Sequence, residues 1–363
     1  MRSSSMEVLI AGGGTGGHLY PGLALAKELV HRKEDLQITF VGTARGMEAR
    51  VLPREGFPLA LIRVEGLMGR GIIKGLGVIT HLPLSLWDSF RILKKHQPAL
   101  VIGVGGYASG PLMLAATILG KRRLILEQNV IPGMTNRLLA PWMHRVVVSF
   151  KESRMYFPKG KVAVLGNPVR RELLQGAEGN AGEKGKKTLL IFGGSRGART
   201  LNRGMVEALD LFKKEGKDWG IIHQTGEADF LWVKQKYEEK GIRAQVEPFL
   251  FDMGAAYGQA DLVVSRAGAT TIAEITACGL PAILVPFPYA THDHQRKNAM
   301  VLEQAGAAVV MADQQLSGTG LGREIIRLMG DHPRLKQMGS MSRSLGHPQA
   351  LTEIADLCFS MMQ

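Results

Sequence analysis

The sequence predicts an α/β chain of two doubly wound, Rossmann-like parallel-sheet domains facing a central cleft, and three observations lead there. The first is length: 363 residues exceed one ordinary core at about 150 residues per domain. The second is a repeated grammar. EVLIAGGGTGGHLYPGLALAKELV, from Glu7, reads as a buried apolar strand, a glycine turn and an amphipathic helix, and TLLIFGGSRGARTLNRGMVEAL, from Thr188, repeats it. The third is alternation of short apolar runs with helical patterns. ITFVG, ALVIGVGG, LILEQ and RVVVSF follow in the first half, then GIIHQTG, DLVVSRAG and AILVPF in the second. Strands apolar on both faces need cover on both sides, which a parallel sheet between helices provides.

Between the halves lies GAEGNAGEKGKK, Gly176 to Lys187, rich in Gly and charge and poor in apolar residues. The expected division is therefore 1–175 for the first domain, 176–187 for a linker and 188–363 for the second, with the last helix free to pack back on the first domain.

Composition excludes several classes. With 45% hydrophobic, 21% charged and 6% aromatic residues the chain is far from disorder. Two cysteines, Cys278 and Cys358, supply neither a disulfide framework nor a multi-cysteine metal site, which suits a reducing compartment. The start, MRSSSMEVLIAGGG, with one basic residue and a very short apolar run before glycines, leads us to expect no export, and no apolar run is long enough to predict a bilayer span. The formal charge of +13 is one-sided: residues 1–170 carry 23 Lys+Arg against 10 Asp+Glu, and residues 171–363 carry 22 against 22. An N-terminal domain facing an anionic surface is the sharper reading, a basic surface for solubility the blander one. Nucleic acid is a poor candidate, because few aromatics and no concentrated Lys/Arg run leave little to stack or clamp with.

In such sheets ligands bind at the carboxyl ends of strands, where the glycine turns fall. Gly12, Gly14 and Gly17 satisfy G-x-G-x-x-G, but the second strand ends ITFVGTARG with no acidic residue for a ribose, so a dinucleotide is demoted; Arg45 could serve only a 2′-phosphate. The turn Gly193-Gly194-Ser195-Arg196-Gly197 lacks the Lys-Ser/Thr of a P-loop, which argues against an NTPase. GVGGYASGP, Gly103 to Pro111, could let backbone approach a ligand or simply pack tightly. DLVVSRAGATTIAEITACGLPAILVPFP, from Asp261, is richer. A strand ends at Ser265, Gly268 turns, and Thr270 and Thr271 open a helix with Glu274 one turn in. Amides and hydroxyls there could hold a diphosphate and the carboxylate a ribose; alternatively Thr270 caps the helix and Glu274 balances its dipole.

GGTGGHLYPGLALA, GVGGYASGP, LEQN, GNPVR, GGSRGARTLN, SRAGATTIAEITACGLPAILVPFP and HDHQRKNA, in this order along nearly the whole chain, resemble the MurG family. Its members are the UDP-N-acetylglucosamine:N-acetylmuramyl-(pentapeptide) pyrophosphoryl-undecaprenol N-acetylglucosamine transferases of bacterial peptidoglycan synthesis. The resemblance implies the GT-B fold, no cofactor, UDP-N-acetylglucosamine as donor and the undecaprenyl-diphosphate muropeptide (lipid I) as acceptor, at the cytoplasmic face of the plasma membrane. It further implies that Thr15, Gly16 and Gly17 line the site against the donor sugar and diphosphate. Asn129 would touch the N-acetylglucosamine, and Arg170 and Ser195 the nucleotide or its phosphates. Leu250 would meet uracil by its backbone. Ala269, Thr270, Thr271, Ile272, Ala273 and Glu274 would hold the diphosphate and ribose, and Gln295 would read sugar hydroxyls. Leu126 stands where the family often has histidine.

An inverting transfer needs a base for the acceptor hydroxyl and stabilisation of the departing UDP. His18, just after the first glycine turn, is the first candidate base, with a diphosphate-orienting or capping role as the alternative. Glu127 is the reserve, or equally a structural hydrogen-bond partner. No Asp-x-Asp occurs, and His292-Asp293-His294 lacks further ligands in recognisable spacing, so no metal is expected. Between Met68 and Lys95, Ile72, Ile73, Leu76, Ile79 and Trp87 lie among Lys74 and other cations, a pattern suited to an anionic leaflet. The glycines and Pro83 are expected to break this stretch into short pieces, part of which is core. A glycolipid-forming diacylglycerol transferase would share the fold and nucleotide segment; GGTGGHLYPG with GVGGYASGP favours the peptidoglycan reaction.

Overall fold

The computed structural model describes residues 6–64, 75–179, 186–194 and 197–363, with side chains of 75–81 and 179 excepted. The chain divides into two compact units, Met1–Pro168 with Gln349–Gln363, and Val169–Pro348.

In the first unit β1 (Glu7–Gly12), α1 (Gly16–Arg32), β2 (Gln37–Gly42), α2 (Glu48–Val51), β3 (Leu59–Leu61), α3 (Gly75–His96), β4 (Leu100–Gly105), α4 (Ser109–Ile118), β5 (Arg123–Glu127), α5 (Met134–Leu139), β6 (Arg145–Val148) and β7 (Val162–Val164) follow in order. Their sheet runs β3-β2-β1-β4-β5-β6-β7, and every neighbouring pair is parallel. Side chains alternate across it. Val8 and Ile10 enter one core with Leu19, Leu23 and Leu25 of α1, while Leu9 and Ala11 enter the opposite core with Leu93 of α3 and Leu112 of α4. Both faces are apolar because both are covered.

The second unit holds α6 (Arg171–Gly179), β8 (Thr188–Phe192), α7 (Arg199–Lys214), β9 (Gly220–Gln224), α8 (Phe230–Glu239), β10 (Gln245–Glu247), α9 (Met253–Gln259), β11 (Leu262–Ser265), α10 (Ala269–Cys278), β12 (Ala282–Leu284), α11 (His294–Gln304), β13 (Ala308–Val310), α12 (Gly318–Gly330) and α13 (His332–Leu345). Its sheet, β10-β9-β8-β11-β12-β13, is again parallel. In both sheets the order reverses beside the first strand of the unit, between β1 and β4 and between β8 and β11. That reversal opens a crevice at the strand ends.

One boundary differs from expectation. The units divide after Pro168, and residues 171–179 form α6, which packs on α9 with Gly176 and Gly254 backbone to backbone. Glycine at this crossing serves close packing rather than a linker. The last helix, α14 (Ala350–Met362), belongs to the first unit: Leu351, Ile354, Ala355 and Cys358 are buried in the α1 core, and Arg32 reaches Asp356 at 2.6 Å. Leu351 and Ile354 each contribute on the order of 2 kcal/mol. Burial pushes both thiols, Cys278 and Cys358, up to about 12.

From Gly75 on, the stretch expected to be broken is instead one helix of 22 residues, α3, with Pro83 inside it. Proline removes one backbone bond there, and burial of Ser85, Ser89 and Leu93 along one face holds the helix together. Trp87, 61% exposed, lies on the face away from this core, with Leu82 and Leu84 also exposed. Leu76 and Ile79 are on the α3 backbone; Ile72, Ile73 and Lys74 lie outside the described residues. Among the described residues no helix is long and apolar enough to cross a membrane.

Candidate functional site

In each unit a glycine-containing turn at the reversal of strand order carries some of the candidate residues, and the others follow neighbouring strands. In the first, β1 ends in the glycine turn, with Thr15 at the N-cap of α1 and Thr15 O accepting from His18 N and Leu19 N. Thr15 and Gly17 are exposed and Gly16 half-buried, and the Thr15 side chain makes no capping bond. The turn is held from the side by Glu48, only 1% exposed. Its Oε2 accepts from Gly14 N at 2.8 Å, and its Oε1 from Thr43 N at 2.9 Å and Thr43 Oγ1 at 3.0 Å. A Cβ on Gly13, Gly42 or Gly46 would fall 2.1–2.6 Å from this side chain, so those glycines make its berth. The second strand has no acidic residue at its end, yet a carboxylate arrives from α2. Glu48 was missed because its three donors lie outside its own helix.

The next turn, after β4, packs on the first: a Cβ on Gly106 would meet Gly13 O at 2.5 Å. His18 is half-buried against it, Nδ1 lying 3.1 Å from Val104 O and 3.3 Å from Gln128 Oε1. Both partners are carbonyl oxygens and can only accept, so Nδ1 carries a proton, and in the neutral ring the lone pair is on Nε2.

Glu127 ends β5 and is 2% exposed. Oε1 accepts from Asn129 N at 3.0 Å and Asn129 Nδ2 at 3.4 Å, and Oε2 from Gly133 N at 3.1 Å and Asn136 Nδ2 at 2.8 Å. With both oxygens engaged by donors, this carboxylate braces the 128–136 loop and leaves Asn129 half-buried at its rim.

In the second unit β8 leads into Gly193 and Gly194; Ser195 lies outside the described residues. Gln224, 3% exposed, joins this turn to the segment after β10: Nε2 donates to Gly194 O at 2.9 Å, and Oε1 accepts from Leu250 N at 3.4 Å. Leu250 itself is 7% exposed. Beneath the turn a neutral chain runs from Tyr237 Oη to His223 Nδ1 at 3.1 Å and from His223 Nε2 to Asn202 Oδ1 at 3.1 Å. Asn202 Nδ2 then donates to Thr225 O at 2.9 Å and Asp229 Oδ2 at 2.8 Å. Complete burial pushes His223 down to about 3, so it is a neutral strut.

Gly268, not Thr270, takes the N-cap position of α10. Thr270 Oγ1 is shielded from solvent and has no hydrogen-bond partner, which removes the capping reading. An unpartnered buried hydroxyl costs about 1–3 kcal/mol and calls for a reason. Ala269 and Ile272 are buried, Thr271 and Ala273 half-buried. Glu274 follows, its Oε2 accepting from Tyr257 Oη at 3.0 Å. Desolvation raises its pKa above the ordinary carboxylate range, opposed by the charge of exposed Arg170 and by the Tyr257 bond. Gln295, on the first turn of α11, accepts from Phe287 N at 2.9 Å through Oε1. Beside it Arg266 pairs with Asp313 and lies over the Phe287 ring. His292 and Asp293 are left-handed, and His294 Nδ1 donates to Thr291 O at 2.7 Å. Among the described residues no group of three or more His, Cys, Asp or Glu is placed to hold a metal ion.

Residues 8–148 match the glycosyltransferase family 28 N-terminal domain and residues 188–354 the glycosyltransferase family 28 C-terminal domain. A UDP-N-acetylglucosamine–N-acetylmuramyl-(pentapeptide) pyrophosphoryl-undecaprenol N-acetylglucosamine transferase of Myxococcus xanthus is 46% identical over 357 residues, covering 98% of this chain and 93% of its own. The protein of the same name from Syntrophus aciditrophicus is 45% identical, with 99% of each chain covered. Among solved structures, Acinetobacter baumannii MurG superposes with a TM-score of 0.80 at 30% identity, over 98% of this chain and 99% of that one. A kitacinnamycin glycotransferase, 16% identical with a TM-score of 0.72 over 99% of each chain, shares the fold.

Proposed function

Because the chain belongs to glycosyltransferase family 28, and within it to the MurG family of N-acetylglucosamine transferases, we propose that it makes lipid II. It moves N-acetylglucosamine from UDP-N-acetylglucosamine to undecaprenyl-diphosphate-linked N-acetylmuramyl-pentapeptide, lipid I. The observation that carries this reading is near-full-length similarity at 45–46% identity to proteins of that name. The unpartnered Thr270 hydroxyl at the start of α10 supports a donor site there.

In the proposed reaction the acceptor hydroxyl oxygen attacks the anomeric carbon from the face opposite UDP. The bond from that carbon to the diphosphate breaks, UDP leaves with the electron pair, and the hydroxyl proton passes to His18 Nε2. Thr15, Gly16 and Gly17 border the reacting sugar and Asn129 contacts it. Thr270 Oγ1, the α10 amides and Arg170 take up charge developing on the diphosphate. Glu274 accepts from the ribose hydroxyls, Leu250 meets uracil through backbone, Ser195 approaches the phosphates, and the NH2 of Gln295 faces sugar hydroxyls.

The acceptor and membrane side belongs to the first unit. It carries 22 Lys+Arg against 12 Asp+Glu, whereas the second carries 23 against 20. Exposed Trp87, Leu82 and Leu84 on α3 suit peripheral contact with an anionic leaflet at the cytoplasmic face.

The test is transfer of labelled N-acetylglucosamine to a short-chain lipid I analogue, with EDTA present and a diacylglycerol acceptor in parallel. Transfer to the muropeptide lipid alone is expected, and His18→Ala should lower kcat by about 10²–10⁴-fold. Transfer to diacylglycerol instead would overturn the assigned acceptor, and complete loss of activity with EDTA would overturn metal independence.

A further inference from the structure

We propose that Gln128 is a positioning residue for His18, setting the imidazole tautomer that presents an unprotonated Nε2. The inference rests on the reading of His18 as the base and adds how the ring is kept ready.

Gln128 follows β5 and is 1% exposed. Its Nε2 donates to Val104 O at 3.2 Å and to Leu126 O at 3.3 Å. These two carbonyls fix which way the amide faces. The flipped amide would set an oxygen against two oxygens, so the NH2 points at the strand ends and Oε1 points elsewhere. Elsewhere is His18, whose Nδ1 lies 3.3 Å from that Oε1 and 3.1 Å from Val104 O.

One Nδ1–H thus serves two neutral acceptors, which are themselves joined through the Gln128 amide. The ring has little room to turn away, because a Cβ on Gly105 would lie 2.7 Å from Nδ1, so the imidazole rests against bare backbone. With Nδ1 committed as donor, Nε2 holds the lone pair. When Nε2 takes the acceptor proton, the Nδ1–H already faces two carbonyl dipoles that stabilise the imidazolium without rearrangement. No carboxylate is needed for this arrangement. Removing Gln128 should leave a ring held by Val104 alone and able to exchange tautomers.

The experiment uses the full chain labelled with 15N-histidine, in wild type, Gln128→Met and Gln128→Glu, with His18→Ala to assign the His18 signals. Wild type is expected to show the Nδ1–H tautomer. Gln128→Met, close in length but without donor or acceptor, should show an Nε2–H fraction and a kcat lower by about tenfold or more, with KM for UDP-N-acetylglucosamine within about twofold. Gln128→Glu keeps an oxygen towards the ring, and its protonated form can donate to Val104 O or Leu126 O. It should therefore retain the Nδ1–H tautomer and recover most of kcat. An Nε2–H tautomer in wild type, or an unchanged tautomer and kcat in Gln128→Met, would overturn the proposal. Unchanged kcat in His18→Ala would instead overturn the reading of His18 as base, while the 15N spectra still report whether Gln128 sets the ring.

Discussion

The first glycine turn and the start of α10 both sit where a sheet reverses its strand order, yet their polar groups are in opposite states. At the first turn Gly14 N already faces a carboxylate, Glu48, supplied by the protein itself. At α10 the Thr270 hydroxyl is shielded and faces nothing. The sequence offers an anion site at both places, through glycine spacing at the first and through threonines after a turn at the second, but hydrogen-bond accounting separates them. The first turn is a joint whose amide is satisfied within the fold and which sets His18 in place; at α10 the fold leaves the Thr270 hydroxyl without a partner. The second glycine turn stands between them, propped by a buried network that runs through His223 and Asn202 and ends on the Asp229 carboxylate.

The largest effects should come from closing the two turns with a methyl group. Gly197 has φ +74°, and a Cβ there would lie 1.9 Å from Thr225 O. A left-handed alanine costs about 1–2 kcal/mol before any clash, so Gly197→Ala should lose at least about 3 kcal/mol, a fall in Tm of about 10 °C for a unit of this size. Gly106→Ala, at φ +83° with Gly13 O only 2.5 Å away, should do the same in the first unit. Melting curves decide it, and a wild-type Tm for either would show that the turn yields. Next is Glu48→Gln. An NH2 would then confront donors that now meet oxygen, at a cost of about 2–3 kcal/mol. Urea unfolding measures this; a loss below about 0.5 kcal/mol would mean that the carboxylate does not hold the turn.

How far these features were legible in the sequence depended on whether the cause was local. β1 and β8 could be read because both faces are buried, giving continuous apolar runs before glycine. β3, β7, β10 and β13 have three residues each, too few for periodicity to show. α3 runs through Pro83 because packing of Ser85, Ser89 and Leu93 outweighs one missing backbone bond. The glycines, histidine and threonines of the site were visible, being clustered. Their supports were not: Gly14 and Glu48 are 34 residues apart, and His18 and Gln128 are 110 apart. Only the fold brings those pairs together, although the glycines at 42 and 46, shortly before Glu48, mark space for a side chain.

Acid should report on the buried histidine of the second unit. His223, neutral in the fold with its pKa lowered to about 3, is protonated in the unfolded chain below about 6.5. The unfolded state therefore binds more protons in this window. Stability from the buried imidazole is complete above about pH 6.5 and falls as pH drops towards 3, by up to about 1.4 kcal/mol per pH unit. Glu274 acts with opposite sign, because its raised pKa makes stability fall as pH rises through and above the ordinary carboxylate range. Urea unfolding at pH 7, 5.5 and 4.5 should show the slope in wild type and a shallower one in His223→Gln; equal slopes would deny the histidine its share.

The smallest effect is the most discriminating, because it has two readouts of opposite sign. Thr270→Val keeps shape and β-branching and deletes only the hydroxyl. If Oγ1 is buried without a protein partner, its removal relieves an unmet polar group, and stability should hold or rise by about 1 kcal/mol. If the same atom bonds the donor diphosphate, affinity for UDP-N-acetylglucosamine should fall about tenfold, or about 1.4 kcal/mol. Calorimetric titration and melting of the one variant report both. Unchanged affinity would remove the hydroxyl from the donor site. A drop in stability would show that a protein partner satisfies it, and α10 would then be a finished joint like the first turn.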